Sequence, residues 1–128
     1  MKQTVKNIPK TAAGFEKDYN ALKNDEASLL AYLKNVPPKT VEALFKKAEV
    51  PTEVLSGILK TIAEKAEDFD AAVFSGIFLL SLAKANNFEM TLMFAESKDL
   101  KNIDVIVDKI SKTDSRLAKQ VKEAYTPE

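Results

Sequence analysis

The stretch Val50-Pro51-Thr52-Glu53-Val54-Leu55-Ser56-Gly57-Ile58-Leu59-Lys60-Thr61-Ile62 decides the type of fold. Val54, Leu55, Ile58, Leu59 and Ile62 recur at i, i+4 and i+8, the spacing that gathers apolar side chains on one face of an α-helix. Val50-Pro51-Thr52 is a joint in front of that helix. Proline lacks the donor that a helix interior needs and pushes its predecessor out of the α region. Thr52 is the expected N-cap, and the helix is expected to end near Ala66.

The same unit, a short amphipathic helix opened by a cap or a proline joint, recurs in both directions. Towards the N-terminus, Pro37-Pro38 stops one helix, and Pro38 can sit in the first turn of the next, which carries Val41, Leu44 and Phe45. Before it, Asn24-Asp25 supplies a break and a cap for a helix with Leu29, Leu30, Tyr32 and Leu33. Thr11 caps a first helix whose core face is Phe15, Tyr19 and Leu22, and residues 1–10 read as a flexible lead-in.

Towards the C-terminus, Asp68 or Asp70 is the expected cap of a helix with Val73, Phe74, Ile77, Phe78 and Leu80. Its small pair Ser75-Gly76 suggests that a neighbouring backbone comes close. A helix near 97–111 follows, with Leu100, Ile103, Ile106, Val107 and Ile110 on one stripe. Asp114 then caps a last helix with Leu117, Val121 and Tyr125. No segment sustains period-2 alternation. The expectation is all-α: a compact superhelical bundle of seven to eight short antiparallel helices, one domain over residues 11–126.

Composition narrows the chemistry. The 128 residues contain no cysteine and no histidine, which removes disulfides, thiolate nucleophiles, the usual general base and the commonest metal ligands. Three glycines are too few for a phosphate-cradling loop. The 19 basic and 19 acidic residues balance, but residues 53–96 hold three lysines against seven acids, and Arg116 is the only arginine. A nucleic-acid site needs a concentrated basic stripe, so no nucleic-acid partner is expected. The longest uncharged run, Ala71 to Ala83, is 13 residues, short of the ~20 that span a bilayer, and no membrane partner is expected. It reads as a central helix buried on most of its circumference.

The acidic groups Glu64-Glu67-Asp68-Asp70 and Asn24-Asp25-Glu26 lack the layout of a calcium loop and read as caps and solvated faces. Lys112, Arg116 and Lys119, interleaved with Asp108, Asp114 and Glu123, read as a solvated face. Ser56, Ser75, Ser81 and Ser97 have no histidine partner; a serine–lysine pair is the one enzymatic arrangement the composition leaves. The expectation is no catalytic residue, no metal and no cofactor.

One segment carries more than core. In Asn86-Asn87-Phe88-Glu89-Met90-Thr91-Leu92-Met93-Phe94-Ala95, Phe88, Leu92 and Ala95 share one helical face, while Met90, Met93 and Phe94 point the opposite way. A helix apolar on both sides is buried all round or docks something on its second face. Methionine suits docking because its flexible thioether adapts to a partner's contours.

Five blocks stand in order along the chain: Phe15-Glu16-Lys17-Asp18-Tyr19 with Leu22-Lys23; Tyr32-Leu33-Lys34-Asn35-Val36-Pro37-Pro38; Leu44-Phe45-Lys46-Lys47; Leu55-Ser56-Gly57-Ile58-Leu59-Lys60; and Asn87-Phe88-Glu89-Met90 with Met93-Phe94. In that order they resemble the C-terminal domain of the RNA polymerase II-associated protein 3 family, which sperm-associated antigen 1 and related ciliary dynein-assembly factors share. The resemblance implies a monomeric, non-catalytic adaptor that docks on a RuvB-like AAA+ ATPase, the second paralogue favoured. Neighbouring repeats outside this sequence would recruit heat-shock chaperones for the assembly of large complexes. The implied partner-binding residues are Asn86, Asn87, Met90 and Met93. The family often has arginine at the position of Asn87, so a neutral hydrogen bond would replace a charge-assisted one here. The implied compartment is the cytoplasm, with the nucleus second. A module of a dynein-arm assembly factor with a different client, or one that self-associates, is the alternative.

Overall fold

The computed structural model describes residues 8–67 and 69–126, and among them the chain is helical, with eight helices and no strand. They are α1 (Ala12–Leu22), α2 (Glu26–Asn35), α3 (Pro38–Leu44), α4 (Thr52–Lys65), α5 (Phe69–Leu82), α6 (Phe88–Met93), α7 (Ser97–Ser111) and α8 (Ser115–Ala124). Of the lead-in expected over residues 1–10, residues 1–7 lie outside the described part, and Pro9 is buried.

Three of the expected caps form. The Thr11 hydroxyl accepts from the Gly14 N–H at 2.9 Å, the Asp25 carboxylate from Ser28 N–H at 3.1 Å, and the Asp114 carboxylate from Leu117 N–H at 3.0 Å. Each satisfies one of the donors that a helix start leaves open. Thr52 is not a cap: it is the first helical residue of α4, and Pro51 occupies the cap position with no side-chain bond. The fixed φ of Pro51 sets the entry angle, and its carbonyl accepts from Val54 and Leu55 instead. Asp70 lies inside the first turn of α5, and Asp68 falls outside the described residues. α3 and α6, of seven and six residues, are shorter than the rest, and α6 closes on a tightened turn in which the Phe94 N–H donates to the Thr91 carbonyl at 3.2 Å.

Consecutive helices pair at the two ends, α1 with α2 and α7 with α8. In the middle the main packings skip elements: α2 with α4, α3 with α5, α4 with α7, and α5 with both α7 and α8. α5 is therefore the central helix. Ala71, Ala72, Ser75, Phe78, Leu79 and Leu82 are buried, and among the described large apolar side chains of this helix only Ile77 stands out, 41% exposed. Gly76 admits side chains rather than a backbone, which revises the expectation for the small pair. A Cβ there would lie 2.8 Å from Leu117 Cδ2 and 3.1 Å from Ile110 Cδ1, so α7 and α8 both press their core residues onto it.

Polar links fix α4 against α7. Ser56 Oγ donates to Asp99 Oδ1 at 2.6 Å, and Asp99 Oδ2 accepts from the Glu96 N–H at 3.0 Å in a capping box at the start of α7. Both oxygens being occupied, Asp99 tolerates 3% exposure. At the other end Lys109 Nζ donates to the Ala63 carbonyl at 2.6 Å, serving an open acceptor near the end of α4.

On α1, Tyr19 lies across Gly57 of α4: an ideal Cβ on Gly57 would sit 1.6 Å from the Tyr19 hydroxyl and 2.7 Å from Cζ. Gly57→Ala should therefore destabilise the protein by about 1–3 kcal/mol, the range for overpacking, although alanine is the better helix former. Tyr19→Phe should recover part of that loss, giving clear non-additivity in a double-mutant cycle read by chemical denaturation. A Gly57→Ala protein more stable than the wild type would show that the Tyr19–Gly57 packing is misplaced.

The second aromatic anchor is Tyr125, just beyond α8. Its hydroxyl donates to the Leu79 carbonyl at 2.6 Å, and its ring meets Phe88 edge-on at 5.2 Å between centroids. Burial pushes the Tyr125 phenol well above its ordinary 10.0, so the folded protein favours the neutral form. Stability from this group is fully present below pH 10.0 and is lost as pH rises beyond it. Tyr19, by burial and by the nearby Glu53, and Tyr32, by burial and its bond to Asp18, shift the same way. Tyr125→Phe should cost about 1 kcal/mol at neutral pH, because Leu79 keeps its helical bond from Ala83, and should make the alkaline loss of stability shallower. Denaturant titrations from about pH 8 to about pH 11 test this; equal alkaline slopes would contradict it.

Candidate protein-docking face

α5 ends at Leu82, and a turn through Asn86 and Asn87 redirects the chain into α6. Asn87 has φ 55° and ψ 32°, the only positive φ at a non-glycine residue among those described. Asparagine tolerates this left-handed conformation better than most residues, which explains why it stands at the turn. Its carbonyl accepts from Met90 and Thr91, starting the helix, and its side-chain amide reaches Glu49 Oε2 at 3.4 Å. The Asn86 N–H donates to the Phe45 carbonyl at 2.9 Å, while its side chain is exposed.

Three inward contacts set the rotation of α6. Phe88 packs on Tyr125, Leu92 is buried, and the buried Thr91 hydroxyl donates to the Val50 carbonyl at 3.2 Å. With that face committed, a helical period places Met90, Met93 and Phe94 outside, at 54%, 67% and 67% exposure. Of the two readings open to a doubly apolar helix, burial all round does not occur. Asn86, Asn87, Met90 and Met93 thus lie together on the surface. Phe94 belongs with them by exposure although the resemblance did not mark it; the helical period was its signal. Three large apolar side chains on one short segment form a patch of the kind that marks interaction sites.

Beside this patch runs a groove of about 700 Å³ between α6 and the end of α8, lined by Met90 and Met93, by Glu89, and by Glu123, Ala124 and Thr126 from the far end of the chain. Glu123 and its neighbours reach the site only through the fold, because Tyr125 pins the end of α8 beneath Phe88. No sequence spacing announces them.

Several polar groups that the sequence singles out have structural partners. Ser56 is bonded to Asp99, Ser75 Oγ to the Ala71 carbonyl at 2.7 Å, and Ser81 Oγ to Glu42 Oε2 at 3.4 Å. Lys112 meets Asp108 at 3.8 Å in an exposed i,i+4 pair that contributes little. Among the described residues no group of three or more acidic side chains is placed to hold a metal ion, and no helix is long and apolar enough to cross a membrane.

Known proteins place this geometry in a family. RNA polymerase II-associated protein 3 of Xenopus laevis is 29% identical over 99 residues, which are 77% of this chain and 15% of that protein. The chain thus spans a small part of that relative's length. The NMR structure of the C-terminal domain of the human RPAP3 protein superposes with a TM-score of 0.83, covering 98% of this chain and 93% of that domain at 23% identity. That likeness supports the all-α fold. Residues 8–100 match the family described as the potential Monad-binding region of RPAP3. The chain belongs to that family, the protein-interaction domain of the RPAP3 C-terminus.

Proposed function

We propose that this chain is the non-catalytic docking domain of a co-chaperone adaptor, that it binds a RuvB-like AAA+ ATPase through the Met90 face of α6, and that the second paralogue is preferred. Residues 11–126 act as one unit in this reading. Segments outside the sequence join the ATPase to heat-shock chaperones during the assembly of large complexes, in the cytoplasm and secondarily in the nucleus. The observation that carries the proposal is the division of α6: Phe88, Thr91 and Leu92 are held in the core, while Met90, Met93 and Phe94 are left to solvent. Membership of a family described by a protein-binding role supports it.

A second reading follows from that description: the same face takes Monad, the potential partner that the family's description gives. The dynein-arm assembly factor with another client, or a self-associating module, remains the alternative if neither protein binds.

Met90→Glu should leave the fold largely intact, since the side chain is exposed, and should abolish ATPase binding. A carboxylate desolvated at the centre of an apolar contact costs several kcal/mol unless it is paired. Asn87→Ala should weaken binding less, about 0.5–1.5 kcal/mol for a neutral hydrogen bond, and should also lower stability because alanine resists the left-handed backbone. Asn87→Gly keeps the backbone and isolates the lost side chain. Calorimetry with each purified ATPase paralogue and with Monad, beside thermal melts, separates these effects. A Met90→Glu protein that unfolds would return Met90 to the core. A folded one that binds all partners normally would remove Met90 from the interface.

A further inference from the structure

The groove next to the methionines has a charge that the docking reading alone does not use. Glu89 and Glu123 line it with Met90 and Met93, and no lysine or arginine does. Neither glutamate has an ion-pair partner among the described residues; the nearby Lys84 is occupied by Glu42 at 3.4 Å. The groove also borders the C-terminal end of α8, where the helix dipole presents its negative pole. The two carboxylates come from helices far apart in sequence and share one hollow with the exposed thioethers.

A partner that fills this groove to cover Met90 and Met93 therefore also covers Glu89 and Glu123. A wholly apolar partner would leave two unpaired carboxylates partly desolvated, which is strongly unfavourable. We propose that this groove takes a basic side chain of the partner, an arginine or lysine set among apolar residues, which Glu89 and Glu123 receive while its apolar neighbours cover Met90 and Met93. The inference rests on the docking reading for its biological partner, but the chemistry it assigns to the groove can be probed without that partner. It gives the domain an electrostatic selection rule: apolar contact supplies area, and the paired glutamates reject partners that bring no positive charge.

The test has two arms. In the first, an N-acetylated leucine–arginine–leucine amide is titrated into the methyl-labelled protein and followed by NMR, with the leucine–glutamate–leucine peptide as control. The arginine peptide should shift the Met90 and Met93 methyl signals and the Glu89 and Glu123 amides; Glu89→Gln with Glu123→Gln should remove the response. Equal shifts from both peptides, or none at the groove, would overturn the inference. In the second arm, affinity for the RuvB-like ATPase is compared at about 50 mM and about 500 mM salt. The wild type should lose about tenfold or more, and the double glutamine variant should bind about tenfold more weakly at low salt with a flatter salt dependence. If the ATPase binds both proteins alike at both salts, the groove inference fails and the docking reading stands. If the arginine peptide binds the groove and the ATPase binds neither protein, the groove chemistry stands and the ATPase reading fails. Both glutamine variants are surface changes, and a thermal melt within a few degrees of wild type confirms the fold in each arm.

Discussion

The contact on which this molecule turns is Tyr125, whose hydroxyl donates to the Leu79 carbonyl and whose ring meets Phe88 edge-on. One side chain thereby joins the end of α8, the last turn of α5 and the start of α6. Because the ring is fully enclosed, its hydroxyl needs a buried acceptor, and Leu79 is the carbonyl within reach. The consequence passes to α6: with Phe88 held inward, the helical period leaves Met90 and Met93 on the outside. A surface feature is set by a buried hydrogen bond.

Much of the fold could be read from local text. Thr11, Asp25 and Asp114 cap their helices because a cap is a matter of three or four residues, and the stripe Val54, Leu55, Ile58, Leu59, Ile62 is buried as its spacing requires. What could not be read is non-local. The Tyr19–Gly57 packing joins residues 38 positions apart, from two helices whose pairing no periodicity specifies. The Ser56–Asp99 and Lys109–Ala63 links belong to the same class. Thr52 is not the cap its residue type suggests, for a local reason: Pro51 already fixes the helix entry, so the hydroxyl one residue later falls inside the first turn.

The site divides in the same way. Met90, Met93 and Phe94 were legible because a six-residue helix still obeys its period. The left-handed backbone of Asn87 was not, since the residue type permits such a conformation without requiring it. Glu123 was invisible from sequence as a neighbour of Met90, because only the docking of α8 beneath α6 brings it there. On the proposed reading the acidic lining adds selectivity: an apolar patch alone is an aggregation hazard, whereas one bordered by carboxylates favours partners that bring positive charge.

The central claim is that α6 commits one face to the core and keeps the other for a partner. Methyl NMR with a soluble paramagnetic agent tests it most directly, since relaxation of each methyl reports its access to solvent. In the free protein the Met90 and Met93 methyls should relax strongly while those of Ile58 and Leu79 are unaffected, and adding the RuvB-like ATPase should shield the two methionines alone. Met90 and Met93 methyls as shielded in the free protein as Ile58, or still fully accessible in a complex with that ATPase, would contradict the account.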